Sequence, residues 1–102
     1  MEAPRTSSVA AVGSDDGRLD LFALAEDGRV EHRIWWEERG WEPLWKTLPR
    51  GGQAVTGTLA VLSRESGHLE VFATGETGAP VHRWAWNEEW SPWHGFATPG
   101  VC

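Results

Sequence analysis

Short stretches in which apolar and polar residues alternate run through the whole 102-residue chain. Such alternation is typical of β-strands, because successive side chains of a strand point to opposite faces of its sheet. Turn signals rich in Asp and Gly, such as residues 15–17 and 26–28, separate the stretches. No segment shows a sustained helical period or helix caps. The pattern predicts an all-β chain with strands over residues 9–13, 19–25, 30–37, 41–48, 59–63, 69–74, 81–86 and 90–96.

The second half of the sequence repeats the first half at a shift of about fifty residues. Residues 17–23, GRLDLFA, correspond to residues 67–73, GHLEVFA. The matches continue through a His-Arg pair and three tryptophan pairs, once two short deletions are allowed. These later matches are His32-Arg33 with His82-Arg83, Trp36 with Trp86, Trp41 with Trp90, and Trp45 with Trp93. We therefore divide the chain into two repeats of four strands each, residues 1–54 and 55–102.

A repeat of about 40–50 residues with four strands and recurring Gly and Trp is typical of a β-propeller blade. The two repeats resemble the repeat of the PLL-like bacterial lectins, a propeller family. The stretches that carry the resemblance are GRLDLFALAEDGRVEHRIWW with GWEPLW, and GHLEVFATGETGAPVHRWAW with WSPW. The resemblance implies a propeller fold and, as ligands, L-fucose or O-methylated sugars.

Two blades alone are expected to be an incomplete propeller. In the third strand, His32, Ile34 and Trp36 lie on one face, with Arg33 and Trp35 on the other, so both faces carry bulky groups. Buried apolar surface contributes about 25 cal/mol per Å², and large exposed apolar patches are normally partner surfaces. We expect copies to associate head to tail into a closed ring, with a six-bladed trimer favoured over an eight-bladed tetramer. An excised or engineered fragment that pairs differently is the alternative.

Tryptophan is the outlier of the composition, with eight Trp and no Tyr. An indole face attracts the C–H face of a pyranose, and an arginine fork suits vicinal hydroxyl groups. The sequence therefore predicts sugar sites at clefts between blades. The candidate sugar-binding residues are Arg33, Trp35, Trp41, Trp45, Arg83, Trp84, Trp90 and Trp93. Two alternatives stay open: the tryptophans pack between blades, and the arginines form ion pairs between blades with carboxylates such as Asp20 or Glu70.

Net charge and cysteine content limit the kinds of partner and site that the sequence predicts. The formal net charge of -6 argues against a nucleic-acid partner, whose phosphates need a basic face, and against an anionic membrane surface. The single cysteine, Cys102, has no second thiol for a disulfide within the chain or for a zinc site. No secretory signal or membrane span is visible, which predicts a chain made in the cytoplasm, with later release or action at a surface left open.

The expected function is a multivalent lectin without a cofactor or metal. No nucleophile elbow, zinc-protease motif or phosphate loop occurs, and near-equal acidic pairs recur in both repeats, which favours a repeated binder over an enzyme. Glycans and further copies of the chain are the expected partners. The alternative is a propeller scaffold for assembly or protein binding that needs no sugar, since fold alone does not fix function.

Overall fold

The computed structural model describes residues 5–14 and 16–96 of the chain. All regular structure in this part of the chain is β-strand, which confirms the all-β class. The strands are β1 Thr6–Ser14, β2 Arg18–Ala25, β3 Val30–Trp36, β4 Gly40–Trp41, β5 Lys46–Thr47, β6 Thr56–Leu62, β7 His68–Thr74, β8 Pro80–Trp86, β9 Glu89–Trp90 and β10 His94–Gly95. Cys102 and the predicted turn residue Asp15 lie outside the described residues.

No helix among the described residues is long and apolar enough to cross a membrane. The strands instead form two antiparallel sheets of five strands each, with the same order in both. β1, β2 and β3 lie side by side in the first sheet, and β4 and β5 both pair with β3 at its outer edge. In the second sheet β6, β7 and β8 are neighbours, and β9 and β10 both pair with β8.

The predicted fourth strand of each repeat is wrong in one respect, because each is two short strands. The interruption in the first sheet contains Pro43, and the interruption in the second contains Pro92. Proline has no N–H to donate to a ladder and is confined to sheet edges or breaks. The outer segment of each sheet therefore pairs with β3 or β8 at its two ends, and the ladder is interrupted around the proline.

The two sheets share one register at their centres. Phe22 pairs with His32 and Leu21 with Arg33, just as Phe72 pairs with His82 and Val71 with Arg83. Pairing fixes which side chains share a face, because neighbours across a ladder point the same way. We call the front face the one that carries Asp20, Phe22 and His32 in the first sheet, and Glu70, Phe72 and His82 in the second. We call the back face the one that carries Leu21, Ala23 and Arg33 in the first sheet, and Val71, Ala73 and Arg83 in the second.

The core lies between the front face of the first sheet and the back face of the second. Phe22, Leu24 and Val30 contribute from the first sheet, and Val71 and Val81 are among the buried residues from the second. The rings of Phe22 and Trp90 meet edge to face across this boundary, with centroids 5.9 Å apart. The other two faces have no such cover among the described residues. They include exposed apolar side chains: Val9 and Trp41 on the first sheet, Trp86 and Phe96 on the second.

Candidate functional site

The most buried of the predicted site residues is Arg83, on the back face of β8, which is 1% exposed. Its guanidinium stacks against Trp90 and Trp93, with its carbon 5.6 and 5.2 Å from the two ring centroids. Its Nε donates to the Ser91 carbonyl oxygen at 3.0 Å, and its Nη1 to the Pro49 carbonyl oxygen at 2.6 Å. Burial lowers the pKa of Arg83 below the ordinary arginine value. Aromatic faces and carbonyl oxygens stabilise this cation, since no described carboxylate lies within salt-bridge distance of it.

Arg33 has the same local arrangement on the back face of β3. Its guanidinium carbon lies 5.8 Å from the Trp41 ring and 5.9 Å from the Trp45 ring. Its Nε donates to the Glu42 carbonyl oxygen at 2.8 Å. Among the described residues nothing accepts from its two Nη atoms, and Trp41 is 43% exposed. Trp35 lies beside this group, because it pairs with Trp41 in the ladder.

The alternative of an ion pair between blades is wrong for Arg83, which lies at the boundary between the two sheets without a described carboxylate in reach. For Arg33 it stays a prediction, because no second sheet among the described residues covers its face. Within one sheet the register separates the charges. Asp20 pairs with Ile34, one residue away from Arg33, so the two charged side chains lie on opposite faces of the sheet. Arg83 and Glu70 are separated in the same way. The carboxylates have other partners on the front face. Arg18 donates to Asp20 from Nε and Nη2, at 2.8 Å each.

Asp20 also lies against a histidine. Nε2 of His32 is 2.6 Å from Oδ2 of Asp20, and the His32 ring stacks flat on Phe22. Burial alone would raise the pKa of Asp20, but the hydrogen bonds from His32 and Arg18 outweigh it and hold the pKa below its ordinary value. In the second sheet Glu70 has two histidine neighbours instead of an arginine. His82 Nδ1 lies 2.7 Å from its carboxylate, and His68 Nε2 lies 3.6 Å away.

The structure distributes the eight predicted sugar-binding residues over three places. Arg83, Trp90 and Trp93 belong to the packed boundary between the sheets. Arg33, Trp35, Trp41 and Trp45 lie on the uncovered back face of the first sheet. Trp84 lies on the uncovered front face of the second sheet, stacked on His94 with centroids 4.9 Å apart. They do not form one pocket, and their role in sugar binding stays a prediction.

A polar cleft between the two sheets was missed by the sequence reasoning. It has a volume of about 280 Å³. Asp16, Arg18 and Asp20 line it from the first sheet, and Asn87 and Glu88 line it from the second. We call it the rim cleft. Arg18 is held in place by Asp20, by the Trp36 ring at 5.5 Å and by Glu88, whose Oε2 is 3.9 Å from Nη1. Donors and acceptors thus converge on one solvent-accessible space.

The second-sheet wall of the rim cleft is a tight hairpin between β8 and β9. Asn87 and Glu88 have φ of 50° and 70°, which are the left-handed values that a two-residue hairpin turn of this kind demands. Asn adopts this conformation readily and Glu does not. The corresponding loop of the first sheet is longer and uses Gly40, with φ of 76°. The sequence signal for this wall was the one-residue deletion between the repeats, which shortens the loop and turns Asn87 and Glu88 into the turn itself.

No protein-family model and no curated protein matches this chain. The resemblance to the PLL-like lectins therefore stays a prediction.

Proposed function

We propose that the chain is a two-blade unit of a β-propeller lectin, which closes head to tail with copies of itself and binds sugars at its blade boundaries. The observation that carries this proposal is the complementarity of the two uncovered faces. Within the chain, a front face packs on a back face. In the part of the chain that the structure describes, the other front face and the other back face are left uncovered, so a second copy can repeat the same packing.

The matching residues support this complementarity in detail. Phe72 and His82 lie on the uncovered front face where Phe22 and His32 lie on the covered one. On the uncovered back face, Arg33 with its two tryptophans has the arrangement that Arg83 has inside the boundary. A heterologous interface of this kind closes into a ring when the rotation per chain divides the circle. We favour three copies and six blades.

Closure would change which residues reach a sugar. In a ring, Arg33, Trp41 and Trp45 become covered as Arg83, Trp90 and Trp93 are, whereas the rim cleft stays open. Arg18 and Asn87 offer hydrogen-bond donors there, and carboxylates of Asp16 and Glu88 offer acceptors, which is what hydroxyl groups need on both sides. Pockets for drug-sized ligands span about 300–1,000 Å³, so a cleft just below that range suits a monosaccharide. We propose fucose-type or O-methylated sugars as ligands, without turnover.

Several such clefts on one rim would bind a glycan-coated surface more tightly than one. Linked weak sites raise the overall affinity by about 10²–10⁴ without any new contact. This is the physical advantage of closing a ring from small chains.

A sugar-independent scaffold is the second candidate function. The observation that favours it is the use of Arg83 and Trp93 in packing, since these predicted sugar platforms are buried at the sheet boundary. If all the tryptophans serve the ring in this way, the propeller needs no ligand.

The proposal is tested by titrating the protein with methyl α-L-fucoside and a panel of neutral monosaccharides, following heat or tryptophan fluorescence. Asn87→Gly keeps the left-handed turn but removes the amide, and we expect a loss of about tenfold in affinity for one lost hydrogen bond. Glu89→Ala, at an exposed position outside the cleft, is the control and should bind as the parent does.

Binding that survives Asn87→Gly but is lost in Trp84→Ala would move the site to the tryptophans. An intact ring that binds no glycan would favour the scaffold.

A further inference from the structure

A second cavity lies between the two sheets, near the start of β3, whereas the rim cleft lies near the end of β3. We call it the arginine cavity, and it has a volume of about 140 Å³. Both sheets and the segment that connects them line it. The lining includes Val30, Leu48, Arg50, Gln53, Arg83 and Trp93. A single ordered water needs about 10–15 Å³ of accessible space, so this cavity has room for several waters or a small ion.

The buried wall of the arginine cavity carries a cation whose donors are only partly used. Arg83 is 1% exposed, and its Nε and Nη1 donate to the carbonyl oxygens of Ser91 and Pro49. Among the described residues nothing accepts from its Nη2. The described residues nevertheless include no fully buried side-chain polar atom without a hydrogen-bond partner. Nη2 therefore faces accessible space, and the arginine cavity is the space that Arg83 lines.

The Arg83 guanidinium is held in a fixed position. The Trp90 and Trp93 rings pack against it, with centroids 5.6 and 5.2 Å from its carbon. Gly51 also lies against it, since a Cβ at Gly51 would be 3.0 Å from the guanidinium carbon and from both Nη atoms. A ligand that accepts from Nη2 therefore meets a donor that is already ordered, which lowers the entropy cost of binding.

The charge around the arginine cavity is positive. None of the described residues that line it is Asp or Glu. Arg50 is exposed, and no described carboxylate lies within salt-bridge distance of it. Arg29 also lines the cavity, but it is paired with Asp27 at 2.7 Å and Glu31 at 3.6 Å. The Glu31 side chain lies on the back face of the first sheet, away from the cavity, where it accepts from the Thr47 hydroxyl. Arg83 and Arg50 are thus left without a carboxylate partner in the described part of the chain.

A buried cation is costly unless it is paired, because it has lost its hydration. The same loss lowers the pKa of Arg83. Indole faces and carbonyl oxygens replace part of that hydration, but they carry no net charge. An anion beside Nη2 would supply the missing charge. A carboxylate fits best, because its single charge matches that of Arg83 and its planar pair of oxygens matches the arginine fork.

We propose that the arginine cavity binds a small carboxylate, which accepts from Arg83 Nη2 and lies within the field of Arg50. Gln53 offers a further donor, because its Oε1 accepts from the Glu76 N–H and leaves its amide nitrogen to donate. The site lies within a single chain, so it depends neither on the proposed ring nor on sugar binding in the rim cleft. The carboxylate comes either from a free small acid or from an acidic sugar.

Calorimetric titration of the parent protein with sodium acetate, against sodium chloride at the same ionic strength, tests the site. We expect saturable binding in the millimolar range, as a few charge-assisted hydrogen bonds provide. Arg50→Gln should weaken acetate binding by about fivefold, because one nearby charge is lost. Arg64→Gln is the matched control, since it removes the same charge at an exposed position that does not line the cavity, and it should bind acetate as the parent does.

Arg83→Lys keeps the buried charge but removes the planar fork, so we expect acetate binding to weaken by about tenfold or more. Circular dichroism reports whether this variant is folded, and the exposed Arg50→Gln tests the site independently of it. A second titration with sodium glucuronate separates the two sources, because binding of glucuronate identifies an acidic sugar and binding of acetate alone identifies a free acid. A folded parent protein that binds neither anion would overturn the inference. Equal weakening in Arg50→Gln and Arg64→Gln would show general charge attraction and would also overturn it.

Discussion

Arg83 and Arg33 are the same group in two environments. Each lies on the back face of a central strand, between two tryptophans, with Nε bonded to a backbone carbonyl oxygen of the outer edge. Arg83 is covered by the first sheet and by residues 49–54, which connect the sheets, whereas no second sheet among the described residues covers the Arg33 group, and Trp41 is exposed. The comparison teaches that a His-Arg strand followed by paired tryptophans does not by itself specify a core or a binding surface. Whether such a group is buried or exposed depends on the sheet that packs against it.

The largest expected difference between the two groups is in the free energy of unfolding. Arg83→Ala removes a buried stack and leaves the Pro49 carbonyl oxygen without its donor, so we expect a loss of about 3 kcal/mol. Arg33→Ala loses partly exposed contacts with two tryptophans and one hydrogen bond to the Glu42 carbonyl oxygen, about 1 kcal/mol in dilute solution. Urea unfolding of both variants, followed by tryptophan fluorescence, measures the two values.

The effect on self-association should be the direct one for Arg33, because its group lies on the face that the next copy is proposed to cover. Arg33→Ala should weaken association by about 30-fold or more, as the loss of a buried interface arginine does. Sedimentation over a concentration series measures this effect. Equal losses of chain stability in the two variants, or an unchanged association constant in Arg33→Ala, would show that the two groups are not counterparts.

The next difference concerns the carboxylates of the front faces, Asp20 and Glu70. Asp20 is buried with a permanent cation, so we expect Asp20→Asn to cost about 3 kcal/mol at pH 7. Glu70 is partly exposed with histidine partners, and we expect Glu70→Gln to cost about 1 kcal/mol or less.

The pH dependence of the Asp20 contribution has a defined sign. Its folded pKa lies below the ordinary aspartate value of about 3.9, so its pairing stabilises the fold above that pH. The contribution disappears as the pH falls through the folded pKa. The stability gap between the parent and Asp20→Asn should therefore close in acid, in urea titrations from pH 7 downward. A gap that stays constant down to pH 2 would contradict the assignment.

The smallest difference between counterparts is expected at two equivalent turn glycines. Gly28 and Gly78 have φ of 89° and 90°, so alanine is strained by about 1 kcal/mol at either position. A Cβ on Gly28 would also lie 2.5 Å from the Ala54 Cβ, whereas nothing lies within 4 Å of one on Gly78. We expect Gly28→Ala to lower the midpoint of thermal unfolding more than Gly78→Ala does. Equal midpoints would mean that Ala54 moves away from Gly28 at little cost in free energy.

Much of the fold could be predicted because alternation and turn chemistry are local signals. The six longer strands were predicted with ends within three residues of those observed, β1 and β6 being the least accurate. The broken outer edges were the main error in the strand assignments, although Pro43 and Pro92 carried the necessary signal. The front and back faces of β3 and β8 follow from strand period alone, and the assignment of His32 and Arg33 to opposite faces is confirmed.

The candidate site was harder to predict, because it depends on contacts between segments far apart in sequence. Nothing local distinguishes Arg33 from Arg83, so the full burial of Arg83 and the partial exposure of Arg33 could not be read from the repeat. The Arg18–Asp20 pair lies two residues apart on one strand face, whereas the sequence-based alternative was an ion pair between blades with Arg33 or Arg83. The rim cleft needs Asn87 of one sheet beside Arg18 of the other, which only the packing of the sheets brings about.

The mass of the assembled particle in native buffer tests the central claim most directly. Each half of the chain is a sheet with two packing faces, and the described residues 5–14 and 16–96 cover only one face of each. We therefore predict a closed oligomer of three copies, with three times the chain mass of 11.3 kDa, over a wide range of concentrations. A particle of 11.3 kDa that unfolds cooperatively at every concentration would contradict the account.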